Sequence, residues 1–112
     1  MRRRAAYAVL LLAMTSSSSH ALDSEQRRGK VLLQRLCSRC HAVGLTGASP
    51  HADAPPFRTF GDRKLYDDDF AQRLQTGLST IHKDMPSFQF DRGDAEAVVN
   101  YLKAIQVHAK QR

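Results

Sequence analysis

The sequence predicts an all-α domain in which three to four short helices are joined by long loops. Apolar residues recur at the spacing of one helix face in three stretches, which lie before residue 41, at residues 70–74 and at residues 95–105. Residues 42–62 are instead rich in glycine, proline and small polar residues, which is typical of a loop. Because a loop of this length is unusual in a small domain, we expect it to wrap the edge of a bound group.

The first helix is predicted to begin at Asp23 or Ser24, since either residue can cap a helix N-terminus. Glycine lowers helix propensity, so we interpret Gly29 as the point where another helix approaches closely, the alternative being a glycine that is merely tolerated. The apolar face continues into both cysteines of the chain and comprises Gly29, Leu32, Leu33, Leu36, Cys37 and Cys40.

Two further helices are predicted. The acidic residues 67–69 suit a helix N-terminus, and Gly77 suits the C-cap of the short helix that follows them. Asp91 is the predicted N-cap of the last helix, which we expect to cross the first at Gly29. Tyr101 is expected to border the apolar face of the last helix, which comprises Ala95, Val98, Val99, Leu102 and Ile105.

Residues 1–21 are predicted to be a cleaved signal peptide, because three arginines precede a short apolar run and Ser19-His20-Ala21 forms a small-x-small cleavage site. An uncleaved anchor is the alternative. Cleavage after Ala21 leaves residues 22–112 as one domain for export to the periplasm. The leader carries three of the 17 basic residues and none of the 11 acidic ones, so the net charge falls from +6 to +3. These interspersed charges do not favour nucleic-acid binding.

The motif Cys37-Ser38-Arg39-Cys40-His41 is the signature of c-type haem attachment. Cysteines three residues apart share one helix face, so their thiols can reach two vinyl groups on one edge of the ring, and His41 can then reach the iron. The motif predicts one covalently attached haem c. A disulfide, a metal site and a thioredoxin-like redox motif are the alternatives, although the last requires a preceding strand rather than a helix.

The loop supplies further candidate pocket residues. Pro55 and Pro56 lack an N–H but keep a carbonyl, which can accept a hydrogen bond from the outward nitrogen of His41 and so fix its ring. Phe57 is predicted to wall the pocket. Arg58 is predicted to pair with a haem propionate, with a solvated surface charge as the alternative.

Met85 is the candidate sixth ligand of the iron. Met1 and Met14 leave with the leader, so Met85 is the one thioether of residues 22–112, and it precedes a proline outside any apolar helix face. A methionine that fills a core is the alternative. His82 is the rival sixth ligand, and His51 is a more distant rival.

Nearly all of residues 22–112 resembles the small monohaem class I cytochromes c of bacteria. The matching residues are Gly29 and Leu33 ahead of the Cys37 to His41 motif, the Pro55-Pro56 pair, Met85-Pro86-Ser87-Phe88, and Val98-Val99-Asn100-Tyr101-Leu102-Lys103. The resemblance implies the cytochrome c fold, with helices and loops wrapped around one haem. It also implies that His41 is the fifth ligand, that Met85 is the sixth, and that Gly29 packs on Tyr101.

Two features depart from the family pattern. Leu33 stands where the family often has an aromatic residue, and the chain has no tryptophan to hold a propionate. Arg58 and Tyr66 are candidate substitutes for that tryptophan.

The expected function is a periplasmic electron carrier, not an enzyme. With both axial positions of the iron filled, no open site remains for a substrate. Redox proteins are expected to dock transiently at the haem edge of a monomer that is not inserted in a membrane. The alternatives are a haem-containing subunit or sensor with an open sixth position, a thiol oxidoreductase that uses Cys37 and Cys40, and a zinc module.

Overall fold

A computed structural model describes residues 21–61, 68–78 and 83–107. The order of elements is α1 (Ser24–Cys37), a 3-10 turn (Phe57–Thr59), α2 (Asp68–Thr76) and α3 (Arg92–Ile105). No strand occurs in these ranges, so the predicted all-α class is confirmed. The predicted leader up to residue 20, and the candidates Tyr66 and His82, lie outside the described residues.

Helix α1 begins where the sequence predicted and ends earlier. The Asp23 carboxylate accepts the backbone N–H of Gln26 at 2.7 Å, and the Gln26 side chain accepts the backbone N–H of Asp23 at 3.0 Å. These reciprocal bonds form a capping box. The helix ends at Cys37, so Cys40 lies in the turn beyond it rather than on the helix face. The Cys37 carbonyl closes that turn by accepting the N–H groups of Cys40 (3.1 Å) and His41 (2.9 Å).

Helices α1 and α3 cross at Gly29, as predicted. A Cβ atom on Gly29 would overlap the backbone carbonyl of Ala97 and would lie 3.0 Å from Cβ of Tyr101. The two helix backbones therefore touch where only glycine fits. An ion pair between Arg28 and Asp94 lies beside this crossing.

The sequence predicted that Tyr101 borders the apolar face of α3, but the residue lies within the core. Its side chain is 1% exposed, and its hydroxyl donates to the Val43 carbonyl at 2.7 Å. Burial also raises the pKa of this hydroxyl. The tyrosine is buried because its polar end has a partner in the loop, 58 residues away along the chain.

Helix α2 ends at Gly77, as predicted, where a positive φ of 105° lets the Gly77 N–H donate to the Arg73 carbonyl at 2.9 Å. The Asp91 carboxylate caps α3 by accepting the N–H of Asp94 at 2.8 Å. The apolar faces of the three helices and the loop meet in one core, which includes Leu33, Val43, Phe57, Phe70, Leu74, Phe90, Ala95, Val98, Val99, Tyr101, Leu102 and Ile105.

Gln106 fastens the 3-10 turn to the end of α3. Its amide nitrogen donates to the carbonyls of Phe57 (2.9 Å) and Leu102 (2.7 Å), and its amide oxygen accepts the N–H of Gly61 (2.8 Å). This buried side chain thus holds the turn through its bonds to Phe57 and Gly61, while its bond to Leu102 stays within the last turn of α3. Within the described residues, no helix is both long and apolar enough to cross a membrane.

We expect Gly29→Ala to lower the free energy of unfolding by about 2 kcal/mol, because the new methyl group would push α1 away from α3. In an isolated helix alanine is about 1 kcal/mol more favourable than glycine. A lower free energy of unfolding would therefore show that the steric cost at the helix crossing outweighs this gain in helix propensity. Denaturation of the haem-loaded protein in guanidinium chloride measures the change.

Gly93→Ala is the matched control, because Gly93 also lies in a helix and an added Cβ would be in ordinary contact, 3.5 Å from the Asp91 carboxylate. Its stability should be unchanged or slightly higher. Equal stability of the two variants would contradict the close approach of the helices at Gly29.

Candidate functional site

A cleft of about 1170 Å³ opens between the end of α1, the loop after it, α2, α3 and the segment before α3. This volume exceeds that of typical ligand pockets, which measure roughly 300–1,000 Å³. Its walls are mostly apolar and include Leu33, Phe70, Leu74, Leu78, Phe88, Phe90, Val98 and Leu102. The cleft therefore suits a large apolar group.

Both cysteines line the cleft at the end of α1. Each is half-buried, and neither forms a disulfide. Burial, and secondarily the nearby Cys40 thiolate, raise the pKa of the Cys37 thiol from 9.0 to about 11. A thiol with a raised pKa is a poor nucleophile at neutral pH, whereas dithiol oxidoreductases depend on a lowered pKa. This environment and the helix before the motif both disfavour the thioredoxin-like alternative.

His41 lines the cleft with its imidazole held in one orientation. The ring is 8% exposed and stacks on Phe57 with 4.5 Å between centroids and 21° between planes. Nδ1 lies 2.8 Å from the Pro55 carbonyl oxygen. Because a carbonyl can only accept, the Nδ1 position carries the proton and Nε2 keeps its lone pair. The side chain is therefore poised to ligate a metal through Nε2.

The four predicted loop residues do not all lie at the cleft. Pro55 and Phe57 line it, and Pro55 supplies the predicted carbonyl. Pro56 and Arg58 are not part of its lining, and their roles at the pocket stay predictions. The Pro56 carbonyl is used by the 3-10 turn, where it accepts the N–H (3.0 Å) and hydroxyl (2.7 Å) of Thr59.

Arg58 is turned toward the loop that follows the motif. Its Nη2 donates to the Gly47 carbonyl at 2.7 Å, and its own carbonyl accepts the N–H of Val107 at 3.0 Å. The side chain thus ties that loop to the 3-10 turn, and the backbone carbonyl ties the turn to the end of α3. Nη1 of Arg58 is buried and has no hydrogen-bond partner in the described part of the chain, so its pairing with a propionate stays a prediction.

Met85 is half-buried and lines the cleft from the segment between α2 and α3. It lies in a bend and not on a helix, as predicted. His51 lines the cleft as well, and its Nδ1 accepts the N–H of Asp53 at 3.2 Å. The cleft therefore brings Met85 together with Cys37, Cys40 and His41.

Some residues that build the site carry no local sequence signal. Gln106 bonds to groups 45 and 49 residues away, and the Ser49 hydroxyl accepts the N–H of Ala42 at 3.0 Å. Such partners are adjacent only once the chain has folded, so helical periodicity does not reveal them. The charged residues at the cleft, among them Arg35 and Arg39, were also missed because they interrupt the apolar pattern.

The side chains of the cleft fit the haem that the motif predicts. The thiols of Cys37 and Cys40 line an apolar cleft, and the imidazole of His41 offers a free Nε2. The neutral thioether of Met85 is a further, soft donor to iron. The zinc alternative lacks ligands, because no group of three or more His, Cys, Asp or Glu side chains in the described ranges could hold a metal ion.

Comparisons with known proteins agree with this chemistry. The family described as Cytochrome c matches residues 26–106. A cytochrome c-552 of Bradyrhizobium diazoefficiens is 34% identical over 97 residues, which are 87% of this chain and 90% of that protein. No solved structure matches the chain. The family match spans most of the sequence, and the relative matches it almost end to end. This chain therefore belongs to the small class I monohaem cytochromes c, which bind one haem c covalently and exchange electrons with redox partners.

Proposed function

We propose that residues 22–112 form a periplasmic carrier of single electrons whose haem is attached through Cys37 and Cys40 and whose iron is held by His41 and Met85. The observation that carries this proposal is the hydrogen bond from Nδ1 of His41 to Pro55, at 2.8 Å, which leaves Nε2 free in the cleft that Met85 also lines. Residues 1–21 would be removed during export.

His41 is suited to ligate the iron in both oxidation states. Its bond to Pro55 and its stacking on Phe57 fix the plane of the ring before any metal binds. A hydrogen bond to a carbonyl also makes the imidazole a stronger electron donor. His41 would therefore hold the iron as a rigid ligand that does not need to move between oxidation states.

Met85 is suited to be the second axial ligand. When bound, the haem supplies a one-electron couple between ferrous and ferric iron. A neutral thioether favours the ferrous state over a second imidazole, and the apolar walls oppose the extra positive charge of the ferric state. The side chains of the cleft thus favour a high reduction potential, and a filled sixth position leaves no place for substrate.

The partner surface is proposed at the mouth of the cleft, beside the cysteines. Arg35, Arg39 and Lys83 are exposed and line the cleft, together with the carboxylates of Asp53 and Asp84. Neither arginine forms an ion pair within the described part of the chain. Leu36 lies between them in sequence and is 37% exposed.

Two of the arginines that do not line the cleft form ion pairs. Arg28 pairs with Asp94, and Arg92 pairs with Glu96 at 3.0 Å. At the cleft, the exposed cations Arg35 and Arg39 flank the exposed apolar side chain of Leu36, where we propose that the electron leaves. Such a surface fits weak docking to a redox protein with an acidic patch.

Met85→Ala should abolish the near-infrared sulfur-to-iron band of the ferric protein and lower the reduction potential, because the thioether that favours ferrous iron is gone. Optical spectra and voltammetry of the purified protein measure both. His51→Ala is the control, since His51 lines the same cleft. The band should persist in His51→Ala, and its persistence in Met85→Ala would refute the assignment.

The intact mass of protein from the periplasmic fraction should equal residues 22–112 plus one haem that resists acid extraction. Cys37→Ser and Cys40→Ser should each retain one thioether bond, and the double variant should release its haem. A mass that still includes residues 1–21 would contradict the proposed cleavage. Extractable haem in the unmutated protein would contradict attachment through the two cysteines.

Arg35→Gln combined with Arg39→Gln should slow oxidation of the ferrous protein by anionic hexacyanoferrate(III) by about threefold or more at low ionic strength, because the attracting charge is lost. The effect should fade above roughly 0.15 M salt. Stopped-flow absorbance measures the rate. A cationic oxidant of higher potential, tris(1,10-phenanthroline)cobalt(III), should show the opposite change.

The double variant Arg27→Gln and Arg92→Gln removes the same charge from residues that do not line the cleft. It should change these rates less. Equal effects of the two double variants would mean that net charge, and not the surface beside the cysteines, steers the partner.

A further inference from the structure

We propose that Gln89 is a positioning residue for Met85: its side chain ties the segment 86–90 to the end of α2 and thereby holds the methionine in the cleft. This inference rests on the proposed ligation of the iron by Met85. Gln89 itself is exposed and does not line the cleft.

The tie joins two elements that the backbone already brings together. The N–H of Phe90 donates to the Leu74 carbonyl at 2.8 Å, and the Gln89 amide nitrogen donates to the Thr76 carbonyl at 3.2 Å. Thr76 is the last residue of α2, so its carbonyl lacks a partner within the helix. Gln89 therefore satisfies an otherwise open helix end and fixes the neighbouring segment to it.

Glycine allows the two elements to lie this close. A Cβ atom on Gly77 would be 3.0 Å from the Ser87 hydroxyl oxygen and 3.7 Å from Cγ of Gln89. The positive φ of Gly77 turns the chain away as α2 ends. The segment after Met85 thus packs directly against the end of α2.

The alternation of side chains along the segment explains how the exposed Gln89 can hold a segment whose other side chains line the cleft. Phe88 and Phe90 face the cleft, whereas Ser87 and Gln89 are exposed on the other side and reach α2. Extended backbone alternates its side chains in this way. The segment is therefore held on both faces, by apolar packing inside and by the Gln89 bond outside.

Pro86 transmits this anchoring to Met85. Its ring fixes its own φ and restricts the residue before it to extended conformations. With the downstream end tied at Gln89 and Phe90, little freedom remains for the Met85 backbone on that side. Loss of the Gln89 bond should make local opening of the segment more frequent, and each opening exposes the iron to a competing ligand.

The test is the affinity of the ferric protein for imidazole, which binds only when the methionine leaves. Gln89→Ala should raise the affinity about threefold, in line with the modest net worth of an exposed neutral hydrogen bond. Gln89→Glu keeps the size of the side chain but removes the donor, and it should behave like Gln89→Ala. Optical titration that follows loss of the sulfur-to-iron band measures the dissociation constant.

Gln75→Ala is the matched control. The Gln75 amide also donates to a carbonyl of α2, that of Ala71 at 3.3 Å, and is also exposed, but its bond stays within the helix. This variant should bind imidazole as the unmutated protein does. Unfolding in guanidinium chloride, run on both variants, separates local opening from loss of global stability.

Equal imidazole affinities for Gln89→Ala and Gln75→Ala would overturn the role of Gln89 while leaving Met85 ligation intact. An affinity increase that matches the loss of global stability would also overturn it. Absence of the sulfur-to-iron band in the unmutated protein would instead refute Met85 ligation, and the inference about Gln89 with it.

Discussion

The contact between the backbones of α1 and α3 at Gly29 determines where the rest of the site lies. Because an added Cβ would overlap the Ala97 carbonyl, the spacing of the two helices is fixed at that residue. Helix α1 runs two turns further and delivers Cys37 to the edge of the cleft, while α3 contributes Val98 and Leu102 to its wall. A domain of this size can bury only a limited core. The close contact of the two helices therefore matters for holding the walls of the cleft in place.

The long loop is held to that frame by side chains at the end of α3. Tyr101 bonds to the Val43 carbonyl, and Gln106 bonds to the carbonyl of Phe57 and the N–H of Gly61. The loop then presents the Pro55 carbonyl to His41 at 2.8 Å and Phe57 to its ring. These bonds fix a loop that has little regular structure. The orientation of the His41 imidazole therefore depends on the bonds that Tyr101 and Gln106 make to the loop.

The sequence predicted the helices, their caps at Asp23 and Asp91, the Gly29 crossing and the residues Cys37, Cys40, His41 and Met85 that meet at the cleft. These features have local signals: period, capping residues and a fixed motif. It placed Tyr101 at the border of the apolar face of α3 rather than within the core, and it did not predict which carbonyls Tyr101 and Arg58 would bond to. Those carbonyls, of Val43 and Gly47, carry no signal in the sequence. Periodicity reports which face of an element is apolar, but it does not report where a lone hydrogen-bonding group will find its partner.

The central claim is that the iron lies between His41 and Met85. Met85 is the one methionine of residues 22–112, so protein labelled with carbon-13 in methionine methyl groups, and purified after loss of residues 1–21, should give one methyl signal. If Met85 ligates the iron, the signal of the reduced protein should be shifted strongly upfield by the ring current of the haem. A methyl signal at the ordinary position of a methionine side chain in the reduced protein would contradict the claim.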